Sequence, residues 1–172
     1  RHHTSGLAKE RLKLALDCLA RKLTPDGNLN LLITNFNSAP DTAFALYSLC
    51  PAVNLARQMK KPELERLIAP ILQRMANGVA RGGVHTPNHR WVICAALAKL
   101  NALYPHKKYV DRIEDWLGEG IFMDADGHYP ERSASIYAVV EDNSLITMAR
   151  LLNKPALLEY VRKNLEMTHY YM

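Results

Sequence analysis

The sequence lacks most of what would place it in a simple functional class. It has three cysteines, Cys18, Cys50 and Cys94, an odd number at wide spacing. Each lies in an apolar helical stretch, so all three read as buried free thiols, not as a disulfide framework or a zinc site. No His or Cys pair has the spacing of metal ligands, and no cofactor is expected. No apolar run approaches the ~18 residues of a membrane span. No stretch reads as a secretion signal, and the sequence fixes no localisation. Basic tracts are missing as well. The formal net charge is +5, but Lys60-Lys61 and Lys107-Lys108 are pairs set among acids. That balance favours acidic ligands weakly and makes no case for nucleic acid.

Strand alternation is nearly absent too; what is present is helical periodicity with sharp punctuation. At 172 residues, 48% of them apolar, one domain with a real core is enough. The pattern predicts helices over about 5–23, 38–59, 62–79, 88–103, 105–118, 133–152 and 155–172. Pro51 and Pro70 are expected to bend the second and third. Residues 29–37 read as ambiguous and extended, and 124–130 as a turn with a short strand.

The pattern repeats. Ala56-Arg57-Gln58-Met59-Lys60-Lys61-Pro62 returns as Ala149-Arg150-Leu151-Leu152-Asn153-Lys154-Pro155, with a looser copy at Ala98–Pro105. The period is about 46–48 residues, near that of armadillo or HEAT units. The helices at 88–103 and 133–152 are apolar on nearly all sides, whereas those at 62–79, 105–118 and 155–172 carry charge on one face. Full burial of one set and half burial of the other implies two layers of helices. The expected fold is all-α, an α/α toroid or part of one, with a curved α-solenoid as the alternative.

In such a double layer the loops entering the inner helices gather at one end. Asp41, His89 and Tyr137 fall there at an even spacing of about 48 residues. Around them cluster Asn37, His85, Asn88, Arg90, Glu131 and Arg132, the mixture of side chains from which a carbohydrate or anion site is assembled. The stretch Gly82-Gly83-Val84-His85-Thr86-Pro87-Asn88-His89 ends in a helix N-terminus, which suits an anionic group.

The run His85-Thr86-Pro87-Asn88-His89-Arg90-Trp91, followed by Asp126-Gly127-His128-Tyr129-Pro130-Glu131 and later Tyr137, resembles the heparinase II/III-like polysaccharide lyases. Those proteins join an α/α toroid to β-sandwich domains and cleave uronate-containing polysaccharides by β-elimination. The resemblance implies that residues 1–172 are a single helical domain within a larger toroid, with the remaining toroid and the β-sandwich outside it. It also implies that the fragment alone is inactive. On this resemblance Asn88 binds the substrate carboxylate with His89 beside it, and Tyr137 is the catalytic base, acid or both, with Tyr129 a rival. His85, Arg90, Glu131, Arg132, Asn37 and Asp41 are substrate-binding candidates, and the expected partner is an acidic polysaccharide. Two other readings stay open. One is a toroid glycoside hydrolase using acids among Asp41, Glu131 and Asp142; the other is a non-enzymatic solenoid that binds a partner in its concave face.

Overall fold

The sequence's repeated Lys-Pro punctuation has a concrete structural meaning. In the computed structural model, which describes residues 6–84 and 86–171, both copies form the same helix-ending turn. Lys60 and Asn153 adopt left-handed backbone, with φ of 54° and 53°. The next residue donates back across the turn, Lys61 N–H to the Ala56 carbonyl at 2.8 Å and Lys154 N–H to the Ala149 carbonyl at 3.0 Å. This arrangement satisfies carbonyls that a helix end leaves open, and the following proline then starts a new helix with its φ already set. The looser copy ends differently, on Tyr104 in extended backbone.

Between these turns lie seven α-helices among the described residues: α1 (Gly6–Lys22), α2 (Ala39–Gln58), α3 (Pro62–Arg81), α4 (Pro87–Leu103), α5 (Lys107–Gly118), α6 (Tyr137–Leu151) and α7 (Leu158–Tyr170). A 3-10 turn at Pro155–Leu157 leads into α7. The ambiguous stretch after α1 is a small antiparallel hairpin, β1 (Leu29–Leu31) with β2 (Asn35–Ser38). The 124–130 segment contains a turn and no strand. The chain is thus mainly helical, as its periodicity predicts. α2 and α3 run unbroken through Pro51 and Pro70, both exposed.

Packing is pairwise and layered. α2, α4 and α6 lie side by side with α4 in the middle, while α3, α5 and α7 pack against α2, α4 and α6 respectively. α4 is therefore enclosed on all sides, and every residue from Trp91 to Ala98 is buried. α6 is not, against expectation: Val139, Asn143 and Leu151 face solvent because one flank of this helix has no neighbour among the described residues. Across α4, the Tyr47 hydroxyl of α2 meets Thr147 Oγ1 of α6 at 2.9 Å, with Lys99 Nζ of α4 over the Tyr47 ring. Trp91 and Trp116 belong to the core. Cys50 and Cys94 are buried, and burial pushes both thiols up to about 12. Cys18 is exposed, contrary to the sequence reading. α1 packs chiefly on α3 and fully buries only Leu16, so its other faces stay in water. No helix among the described residues is long and apolar enough to cross a membrane.

Candidate functional site

The start of α4 is capped from a distance. Thr86 occupies the N-cap position, yet its hydroxyl bonds no backbone N–H of the first turn. It accepts instead from Asn88 Nδ2 at 3.0 Å. The helix end is served by Glu131, 43 residues further on. Its carboxylate accepts the Asn88 backbone N–H at 3.2 Å and Asn88 Nδ2 at 2.6 Å. Free N–H groups and the positive end of the helix dipole both favour a carboxylate there. Two candidates drawn from separate motifs, Asn88 and Glu131, are thereby brought into direct contact. Asn88 is buried and Glu131 is partly exposed.

Behind Glu131 lies an acid that the sequence reading missed. Glu141 of α6 is completely buried, and no N–H or O–H group among the described residues donates to its carboxyl oxygens. Its partner is the Glu131 carboxyl, with which a bond forms only when one of the two holds a proton. Burial, and then the charges of Glu131 and Asp142 together with that bond, raise Glu141 to about 8. Glu141 thus holds its proton well above the ordinary carboxylate range, beside the carboxyl that serves the α4 start. It had no motif to reveal it; a charged residue on the otherwise apolar side of α6 was the only signal.

The adjacent pair is Tyr129 and Asp142. The buried Tyr129 hydroxyl donates to Asp142 Oδ1 at 2.7 Å. Burial lifts Asp142 to about 6 against the stabilising effect of that hydroxyl, and burial plus the Asp142 charge push Tyr129 well above its ordinary value. A buried phenol held this way is a poor base. Tyr137, the other tyrosine considered, is the first residue of α6 and about half exposed. It stands one helical turn before Glu141 on the same face.

The remaining candidates are more dispersed. α6 begins at Tyr137 and not at Ser133: Ala138 N–H closes a wider turn on the Ser133 carbonyl, so residues 133–136 form an extra loop before the helix. Arg132, in left-handed backbone at φ 47°, is largely exposed and reaches Asp124 at 3.3 Å. Arg90 points to the far side of the α4 start, paired with Glu119 at 2.7 Å and lying over Trp91. His89 meets the Phe44 ring of α2 edge to face. Asp41 and Ser38 form a reciprocal cap at the start of α2, the hydroxyl donating to the carboxylate while the Asp41 N–H donates to the hydroxyl. Asn37, in β2, is held by Thr24, Asn30 and Asp26. His85 lies outside the described residues.

Arg90 and Thr86 also line a cleft of about 600 Å³ between the α4 start and the loop after α5. The chain matches no protein-family model, no curated protein and no solved structure.

Proposed function

We propose that the chain is the helical toroid part of a polysaccharide lyase acting on a uronate-containing glycan by β-elimination. The observation that carries this reading is that the α4 N-terminus already holds a carboxylate. Glu131 occupies two converging donors of Asn88, the donors that a uronate carboxylate would need. Glu131 stands against a second acid, Glu141, and the two carboxyls disfavour each other's charge, so it is the group that yields when a substrate carboxylate arrives. His89, next in sequence, flanks that position.

The chemistry follows from the neutralised carboxylate. Removing the proton beside a carboxylate builds up negative charge next to an existing one, so the carboxylate must first be hydrogen-bonded. A base then takes that proton, the C–O bond to the leaving sugar breaks, its electron pair stays on the oxygen, and a C=C bond forms. The same base, now an acid, returns the proton to the leaving oxygen. Tyr137 fits this role by its exposure and its place at the start of α6, one turn before Glu141. Both candidate cations carry an ion pair, Arg90 with Glu119 and Arg132 with Asp124, and Arg132 is the more exposed of the two. The layered pairing of α2 to α7, and the reach of Tyr47 to Thr147 across α4, support a curved toroid over a flat stack.

The hydrolase reading is weaker on geometry. Of its three acids, Asp41 is used in a helix cap and Asp142 is buried on Tyr129. The Glu131–Glu141 pair is in contact, whereas a glycosidase holds its carboxyls ~5 Å or more apart. The deciding experiment follows the ultraviolet absorbance of unsaturated uronate while the protein, as this chain and in any longer natural form, meets a panel of acidic polysaccharides. Growth that disappears in Tyr137→Phe is the expected result. No growth on any of the polysaccharides by either form would overturn the lyase reading.

A further inference from the structure

The cleft beside the α4 start is not used by the chemistry above. It is walled by Thr86, Pro87, Arg90, Trp91, Glu119 and Phe122. Phe122 presents its ring to water with 69% of its surface exposed, unusual for phenylalanine unless something covers it. Arg90 gives one end of its guanidinium to Glu119, while its buried Nε has no acceptor among the described residues. The cleft therefore combines a flat apolar face, a part-exposed cation and a carboxylate acceptor. A sugar acid needs all three: a surface for its C–H face, a partner for its carboxylate and an acceptor for its hydroxyls. A lipid tail would use only the first, and a simple anion only the second.

We propose that this cleft is a binding subsite for a uronate residue of an acidic oligosaccharide, next to the residue held at Asn88. Phe122 stacks on the sugar, the exposed part of the Arg90 guanidinium meets the carboxylate, and Glu119 takes a hydroxyl. Continuity with the Asn88 position is built in. Thr86 lines the cleft and also bonds Asn88 Nδ2, and Pro130, which closes the cleft, directly precedes Glu131. The choice of ligand class rests on the lyase reading; the subsite itself is tested by binding.

The test is isothermal titration calorimetry with size-defined tetrasaccharides from polygalacturonate, alginate and chondroitin, and with neutral cellotetraose as control. The wild type is expected to bind at least one acidic tetrasaccharide and not cellotetraose. Phe122→Ala, on an exposed loop residue that folding does not need, should weaken that binding about tenfold. Arg90→Gln should remove the preference for the acidic ligand, with circular dichroism confirming that the helices remain. No binding of any acidic tetrasaccharide, or unchanged binding in both Phe122→Ala and Arg90→Gln, overturns the subsite. Binding that depends on Phe122 without unsaturated product from any polysaccharide would keep the subsite and remove the lyase.

Discussion

The approaches to α2 and α6 are two versions of one loop, and their differences bear on where the proposed chemistry lies. Both begin with the same turn. Thr24 N–H donates to the Asn28 carbonyl and Gly27 N–H to the Thr24 carbonyl; Asp124 N–H donates to the His128 carbonyl and Gly127 N–H to the Asp124 carbonyl. Both glycines have φ near +95° and lie against an outer helix. Both loops later pass through a left-handed residue followed by serine, Asn37-Ser38 and Arg132-Ser133. There the likeness stops. In the first loop Ser38 caps α2 at once, Asp41 completes the cap, and Thr42 fixes the hairpin by accepting the Leu29 N–H. In the second, helix formation is delayed to Tyr137, Ser133 Oγ accepts the Tyr137 N–H only at 3.5 Å, and the places near it hold Glu131, Glu141 and Asp142. One loop ties most of its polar groups locally, with Asn28 Oδ1 the buried exception. The other keeps buried acids at a cost in stability, the pattern expected where a fold is bent to function.

The shared turn gives the largest expected effect. A Cβ on Gly27 would stand 2.0 Å from the Arg74 carbonyl oxygen, and one on Gly127 would stand 2.7 Å from that of Lys163. Both Gly27→Ala and Gly127→Ala should therefore destabilise the protein by roughly 3 kcal/mol in denaturant unfolding. A large loss at one site and none at the other would break the equivalence of the two loops.

Next comes the acid pair, which sharpens the contrast. Glu141 is raised from 4.5 to about 8 in the folded protein, so between these values the folded state binds a proton that the unfolded state has lost. Its contribution is fully present below about pH 4.5 and is lost as pH rises through about 8. Asp142, raised to about 6 from 3.8, adds a loss of the same sign at lower pH. Glu141→Gln keeps the shape and can donate to Glu131 without a titrating proton. It should flatten this dependence and raise stability near pH 8 by roughly 2 kcal/mol. Wild-type stability that does not fall between about pH 5 and pH 8 would contradict the buried neutral acid.

The smallest effect belongs to the first loop. Ser38→Ala removes the α2 cap and should cost about 1 kcal/mol in thermal or denaturant unfolding, with no change in glycan binding by calorimetry. A loss of binding there would place the α2 approach in the site after all.

What the sequence made legible was whatever depends on local chemistry. The Lys-Pro turns, the Asp-Gly turns and the enclosure of α4 all follow from residue type and spacing. The union of Asn88 with Glu131 was legible only as two motifs near equivalent helix starts. Two features were hidden. Ser133 looks like the cap that Ser38 is, but the extra turn at 134–136 displaces α6, and nothing in Ala134-Ser135-Ile136 forbids a helix. Glu141 becomes special only through burial, which depends on α4 and the 124–132 loop closing over it. Cys18 shows the converse: its helical neighbourhood is apolar, but α1 has too few packing partners to cover it.

The most direct test of the contrast is a side-by-side rate measurement at a temperature where each variant is fully folded. Unsaturated product is followed for wild type, Ser38→Ala and Tyr137→Phe on whichever acidic polysaccharide the wild type cleaves. Loss of product in Tyr137→Phe with an unchanged rate in Ser38→Ala is the predicted result. Equal rates in Tyr137→Phe and wild type would contradict the assignment of the chemistry to the approach to α6.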